Sequence, residues 1–233
     1  MKKDLLVICP TRERPDACAR MIKSFHNKTS EKAELVFIID HDDYWLNEYM
    51  DLFERTGHLY FKREYDSICA MHNVIACSCY PDYDYYSITC DDYIYHTGNW
   101  DRILIQKLKE KGGGFAYGDD MFGGPALPTT CVISGQIIRA LNWIVMPELQ
   151  YLCGDMVWRE IGQRLNRLFY IPEVKIEHMT YLAHKAEMDA TFERTNSEES
   201  YNKDNRAFRE WKSKYMERDI TKIREALKCQ RLA

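Results

Sequence analysis

Carboxylates recur in this chain where strand-like runs stop. Tyr85-Tyr86-Ser87-Ile88-Thr89-Cys90, a run rich in β-favouring aromatic and branched residues, ends at Asp91-Asp92. Glu34-Leu35-Val36-Phe37-Ile38-Ile39 ends at Asp40-His41-Asp42-Asp43, and Phe115-Ala116-Tyr117 ends at Gly118-Asp119-Asp120. A single such acid is ordinary, because Asp is common in turns. Three clusters in one chain point to a polar crevice along the carboxyl edge of a sheet, which is where open α/β sheets bind ligands. A crevice that acidic repels phosphate unless it holds a cation. Paired carboxylates can hold a divalent cation, and that cation can hold a diphosphate. His178, at the end of a late strand-like segment, adds a candidate nitrogen ligand. Asp155, just before a helical stretch from Met156 to Leu165, suits the positive end of a helix dipole.

The elements that position these groups follow from the hydrophobic pattern. Leu5-Leu6-Val7-Ile8-Cys9 is a continuous apolar run of the kind found in buried parallel strands. Pro10-Thr11-Arg12 ends it, and Pro15 starts a helix marked by Ala19, Met21, Ile22 and Phe25. With the strand that ends at Asp40 this makes a right-handed βαβ unit. No G-x-G-x-x-G or G-x-x-x-x-G-K follows either strand, which removes the main support for dinucleotide and P-loop binding. Ile68, Met71 and Ile75 stand at helical spacing, and Trp100 to Lys111 reads as a helix closed by Gly112-Gly113-Gly114. Thr130 to Ser134 is a strand, Ile137 to Asn142 a helix, and Leu168 to His178 a hairpin or two short strands around Pro172. From Lys203 onward Phe208, Trp211, Tyr215, Ile223 and Leu227 punctuate a charged run, predicting one or two amphipathic helices.

At 233 residues, with 45% hydrophobic and 29% charged residues, the chain has the composition of one ordinary globular domain with or without an appendage. No apolar run approaches the roughly 18 residues of a membrane helix, and Met1-Lys2-Lys3 leads into no signal-peptide pattern, so no membrane insertion and a cytoplasmic location are expected. The nine cysteines include no C-x-x-C, and Cys9, Cys90 and Cys131 lie in apolar runs, which predicts reduced, structural thiols. The net charge of −4 argues against a generally basic nucleic-acid coat. It is unevenly spread: from Lys203 to the end ten Lys or Arg face five Asp or Glu, a net +5 that leaves −9 elsewhere.

Taken in order, Val7-Ile8-Cys9-Pro10-Thr11-Arg12, Ile38-Ile39-Asp40, Thr89-Cys90-Asp91-Asp92, Gly154-Asp155 and Ile176-Glu177-His178 resemble the GT-A glycosyltransferases of the family-2 type. Thr97-Gly98-Asn99-Trp100-Asp101, Tyr117-Gly118-Asp119-Asp120, Leu127-Pro128-Thr129, Glu177-His178-Met179 and Lys185-Ala186-Glu187-Met188-Asp189 resemble a phage and bacterial branch of them. The resemblance covers about residues 5–195 and implies an α/β, GT-A (Rossmann-like) domain over 1–195, a mixed, mostly parallel sheet flanked by helices; the charged amphipathic pattern of 196–233 predicts a C-terminal basic helical extension packed on it. It implies an inverting transfer from a nucleotide diphosphate sugar, with a UDP-sugar as the family default. Pro10, Thr11, Arg12, Asp40 and Asp42 would hold the nucleoside, and Asp91 the diphosphate side. Asp92 with His178 would ligate Mn2+ or Mg2+, and Asp155 would be the general base. Cys90-Asp91-Asp92-Tyr93 departs from a strict D-x-D, which makes Asp92 the expected direct ligand.

The acceptor is open. The basic tail and the absence of an anchor favour a hydroxymethylated pyrimidine in phage DNA, with protein, lipid-carrier and polysaccharide hydroxyls as alternatives. Paired acids with a histidine would also suit a metal-dependent nucleotidyltransferase or phosphohydrolase. A third reading is a non-catalytic carbohydrate- or nucleotide-binding module.

Overall fold

A computed structural model describes residues 3–63 and 67–229; the start of the chain, 64–66 and the end of the predicted extension lie outside them. The elements are β1 (Leu5–Thr11), α1 (Pro15–Lys28), β2 (Ala33–Asp40), α2 (Leu46–Thr56), β3 (Leu59–Arg63), α3 (Ile68–Val74), β4 (Tyr85–Ile88), β5 (Tyr93–Tyr95), α4 (Trp100–Lys111), β6 (Phe115–Asp119), β7 (Cys131–Ser134), α5 (Gly135–Leu141), α6 (Gly154–Leu165), β8 (Leu168–His178), α7 (Ala190–Thr195), α8 (Glu198–Lys214) and α9 (Met216–Cys229). The described strands form one sheet in the order β3-β2-β1-β4-β7-β6-β8-β5. β3, β2, β1 and β4 are mutually parallel, as are β6 and β8, while β7 and β5 run antiparallel to their neighbours.

Side chains alternate across each strand, so the apolar runs supply two cores at once. Leu5, Val7, Cys9, Leu35, Phe37 and Ile39 pack with α1, α2 and α4. Leu6, Ile8, Val36 and Ile38 face α3, α5, α6 and the C-terminal helices. The C-terminal run is two helices, and Phe208, Trp211, Ile223 and Leu227 are buried in that second core. Tyr215 is exposed because it stands at the break between α8 and α9, where the helical phase restarts. Among the described residues no helix is long and apolar enough to cross a membrane. Cys9, Cys18, Cys69, Cys131 and Cys153 are buried and unbonded.

One strand is added and one sequence expectation changes. The run from Tyr85 stops before Asp91-Asp92 as expected, and a further short strand follows: β4 lies in the middle of the sheet, β5 on its far edge, and Asp91-Asp92 form the turn between them. Leu168 to His178 is one strand, not a hairpin. Its pairing with β6 slips between Tyr117 and Asp119, and Pro172, which has no N–H to donate, falls in the resulting bulge. Gly118 sits at the same irregularity, where a Cβ would lie 2.4 Å from the Val174 carbonyl oxygen.

α3, which delivers Ile68 to the cavity described below, also buries His72, and neither ring nitrogen has a hydrogen-bond partner among the described residues. Burial lowers this imidazole to about 3. The unfolded chain titrates near 6.5, so it binds the proton first and stability is lost as pH falls through that interval. Urea unfolding should therefore show the wild type losing about 3 kcal/mol more than His72→Leu between pH 7 and pH 4.

Candidate active site

β1 and β2 end side by side, with Thr11 in register with Ile39, and this brings the loop after β1 against the acids after β2. Asp40 is buried, and a guanidinium meets each of its oxygens: Arg12 Nη1 at 2.5 Å from Oδ2 and Arg63 Nε at 2.5 Å from Oδ1. Arg12 also reaches Asp42 at 2.6 Å. A buried carboxylate without such partners would be strongly destabilising, so the two arginines are what allow Asp40 its position. Asp43 accepts the backbone N–H groups of Glu13 and Trp45, both at 2.8 Å, and so pins the two loops together.

The acid pair lies one strand further along, beyond β4. Asp91 is buried and accepts the Thr11 hydroxyl at 2.7 Å. That hydroxyl lies 2.9 Å from the Tyr49 hydroxyl, which accepts the Arg14 backbone N–H at 2.7 Å. Burial, then the neighbouring Asp92, raises the Asp91 carboxyl, against the pull of Arg14 and Thr11. Arg14 Nη1 approaches Asp91 Oδ1 at 3.3 Å and Asp92 Oδ2 at 3.7 Å. His178 Nε2 is 3.5 Å from Asp92 Oδ2, and its ring stacks on Tyr93 at 4.5 Å. Two main-chain bonds hold this corner: Met179 N–H to the Asp92 carbonyl at 2.8 Å and His178 N–H to the Asp120 carbonyl at 3.0 Å. Asp92 Oδ1 and His178 Nδ1 are buried with no partner among the described residues.

These groups line a cavity of about 320 Å³ whose wall includes Pro10, Thr11, Arg12, Asp40, Asp91 and His178. Arg14, Asp91 and Asp92 separate it from a second hollow of about 360 Å³, which runs between α1, β5 and the segment after β8. That segment, residues 180–196, forms a flap. Arg14 Nε and Nη2 grip Asp189 at 2.6 and 2.8 Å, and the Thr191 hydroxyl donates to the Arg12 carbonyl at 3.2 Å. Asp189 also caps α7 by accepting the Phe192 N–H at 2.7 Å. Although burial opposes it, Arg14 and that cap hold the Asp189 carboxyl below its usual range.

Of the residues expected from sequence, Pro10, Thr11, Arg12, Asp40, Asp91, Asp92 and His178 come together in this cavity. Asp42 stands outside its wall, bonded to Arg12, with 57% of its side chain exposed. Asp155 is in the first turn of α6, where it accepts the Met156 N–H at 2.7 Å, and it is not part of the cavity wall. Burial raises its carboxyl, while Arg159 and His178 act on it in the opposite sense. Asp119 and Asp120 hold structure together. Asp119 pairs with Lys175 at 2.6 Å, while Asp120 accepts the N–H groups of Phe122, Gly123 and Gly124 and the Thr129 hydroxyl. The expected continuous acidic crevice is therefore confined to the β2 and β4 ends. Thr97-Gly98-Asn99-Trp100-Asp101 is likewise architectural: Trp100 Nε1 donates to Thr29, and Asp101 accepts the Ser30 N–H and hydroxyl. Arg14, Arg63, Tyr49 and Asp189 were not expected. Asp189 closes a motif quoted above, and Arg14 follows Arg12 by two residues, but their pairing joins parts of the chain far apart in sequence.

No protein-family model matches the chain, and no curated protein matches it by sequence. Solved structures do. It is similar to Staphylococcus aureus TarS at TM-score 0.57 and 14% identity, over 76% of this chain and 36% of that one. It matches TarS 1–349 in complex with UDP over 76% of this chain and 59% of that one, again at 0.57 and 14%. Thus the chain spans about a third of the length of the TarS chain and somewhat under two thirds of the 1–349 chain with UDP. A mannosyltransferase from Pyrobaculum calidifontis, in complex with GDP-Man and Mn2+, matches at TM-score 0.62 and 10% identity, over 100% of this chain and 76% of that one. The chain has the GT-A fold. A cytidylyltransferase from Leptospira borgpetersenii matches at TM-score 0.52 and 10% identity, over 74% of this chain and 76% of that one.

The GT-A sheet alone does not hold the cavity wall that contains Tyr151 and Leu152. Asp204 of α8, fully buried, accepts the N–H groups of Gln150, Tyr151 and Leu152 at 2.8, 2.9 and 2.7 Å. Asp204→Ala leaves three donors without their acceptor and should cost about 3 kcal/mol in urea unfolding. Asp204→Asn, which keeps one acceptor oxygen, should cost less.

Proposed function

We propose that this chain transfers a sugar from a nucleoside diphosphate sugar to an acceptor hydroxyl. The observation that carries the reading is the Asp91-Asp92 turn. It lies at the carboxyl edge of a GT-A sheet, in one cavity with the Pro10–Arg12 and Asp40 edge. Pro10, Thr11, Arg12 and Asp40 would hold the nucleoside, with Asp42 bonded to Arg12 from outside the wall and Arg63 fixing Asp40. Asp91, already bonded to Thr11 and leaning on Arg14, would orient the diphosphate side without direct ligation.

Among the described residues no group of three or more His, Cys, Asp or Glu side chains is disposed to hold a metal. Asp92 and His178 are a pair, and each keeps a buried, unpartnered atom, Oδ1 and Nδ1, which fits a cation completed by ligands from the diphosphate. Asp92 and His178 would hold Mn2+ or Mg2+, which supplies positive charge to the departing diphosphate. Asp155 would serve as general base. It takes the acceptor proton as the acceptor oxygen bonds to the anomeric carbon and the bond to the diphosphate breaks, inverting that centre in one displacement. Its raised carboxyl and its place beside His178 suit that task. UDP is the proposed nucleotide, a reading supported by the TarS complex with UDP.

For the acceptor, exposed Lys203, Arg206, Arg209, Lys212 and Lys214 of α8, which leads out of α7, support a polyanion, and hydroxymethylated-pyrimidine DNA is the proposed case. The similarity to a cytidylyltransferase favours a nucleotidyltransferase as the second reading.

The test is a thermal-shift panel of UDP-, GDP- and CDP-sugars and nucleoside triphosphates with and without Mn2+, followed by transfer assays. A bound donor at 100-fold over its dissociation constant adds about 2.7 kcal/mol to apparent stability. Asp155→Asn should keep that donor shift while transfer falls by about 10³-fold. Turnover of a triphosphate, with no response to any sugar nucleotide, would establish the second reading instead. Transfer to hydroxymethylated DNA, weakening steeply with salt, separates that acceptor from protein, lipid and polysaccharide hydroxyls.

A further inference from the structure

Arg14 touches both the acid pair and the flap. Its planar guanidinium remains charged at every relevant pH and offers five donors in a fixed fork. Two of those nitrogens, Nε and Nη2, are committed to Asp189 in a bidentate grip at 2.6 and 2.8 Å. The third, Nη1, leans on Asp91 and Asp92 at 3.3 and 3.7 Å, longer than the charge-assisted bonds it makes to the flap. One cation is thus shared among three carboxylates. Asp189 is also the cap of α7, and α7 supplies Thr191, Phe192 and Arg194 to the cavity wall. Whatever displaces Nη1 from the acid pair acts on the residue that holds α7 in place.

We infer that Arg14 is the resident counter-cation of the acid pair, competing through its charge with a divalent cation held at Asp92 and linking that competition to the flap at 180–196. The inference rests on the reading above that Asp92 and His178 take a cation. A doubly charged ion beside Asp92 repels the guanidinium a few ångströms away, so the two positive charges exclude one another from the pair. Asp189 tempers the competition by drawing Arg14 toward the flap.

This arrangement predicts effects of opposite sign, which a merely structural contact would not give. Binding of Mn2+ alone, without nucleotide, is measured by calorimetric titration, and amide exchange is followed across 180–196. Arg14→Gln removes the competitor and should tighten Mn2+ binding on the order of tenfold. Asp189→Asn releases Arg14 wholly to the acid pair and should weaken it several-fold. Both should accelerate exchange in the flap. Arg14→Lys keeps the charge but loses the fork, so it should leave Mn2+ affinity near the wild-type value while the flap still exchanges faster. It also serves as the test variant if Arg14→Gln does not fold. Mn2+ affinity that is unmoved in Arg14→Gln, or moves the same way in Arg14→Gln and Asp189→Asn, overturns the inference. So does Mn2+ that binds none of the proteins, or Arg14→Lys with wild-type flap exchange. UDP and GDP are titrated into the same samples. Nucleotide binding with unmoved Mn2+ affinities leaves the proposed function standing while the inference falls. Opposite-signed Mn2+ shifts without nucleotide binding do the reverse.

Discussion

Two adjacent carboxylates at the end of a central strand, one buried and the other nearly so, are the constraint to which much of this molecule answers. Removing charge from water is strongly unfavourable unless a partner with good geometry compensates it. Asp91 meets that requirement through the Thr11 hydroxyl and the Arg14 guanidinium. Thr11 is itself fixed by Tyr49 of α2, and Arg14 stands at the N-terminus of α1. The βαβ unit that opens the chain therefore does more than fill one face of the sheet. It delivers the donor and the cation without which the β4–β5 turn could not stay folded around its acids.

The far half of the sheet answers to the same turn. β5 leaves it antiparallel to β8, with Tyr93 in register with His178, and this places the imidazole against Asp92 and stacks it on Tyr93. The bulge at Pro172 and the close approach at Gly118 let β8 follow β6 at one end and still reach β5 at the other. The C-terminal helices are tied in from below: Asp204 holds the 150–152 loop, and Trp211 donates to buried Asp219, which locks α8 onto α9. A basic tail by composition is, on its inner face, part of the cavity's support.

The strands were legible because an apolar run of four to eight residues bounded by turn residues has few other ways to be buried. The acids were legible because they end those runs. Their roles were less so. Asp91-Asp92 and Asp119-Asp120 read alike, each an acidic pair after an aromatic strand. They differ only in what the fold brings to them: Arg14 and His178 in one case, Lys175 and a loop of N–H groups in the other. Arg14, Arg63 and Asp189 were invisible for the same reason, since each acts through a partner dozens to well over a hundred residues away. Asp155 shows the converse. Its position in the chain marked it, yet locally it behaves as an N-terminal acid on α6, and its proximity to His178 and Cys90 connects it to the site.

The distribution of arginines gives the cavity a direction. At the β2 end Arg12 and Arg63 face Asp40 and Asp42 in close ion pairs, so the wall offers both donors and acceptors to an uncharged group such as a nucleobase or ribose. At the β4 end a single guanidinium, Arg14, is divided among Asp91, Asp92 and Asp189. That end carries surplus negative charge until a further cation arrives. A diphosphate placed at the β2 end would gain nothing from the acid pair, and one placed at the β4 end without a cation would be repelled by it. The orientation proposed above answers both ends: the nucleoside would lie against Arg12, Asp40 and Arg63, and a cation held by Asp92 would offset the charge of the diphosphate.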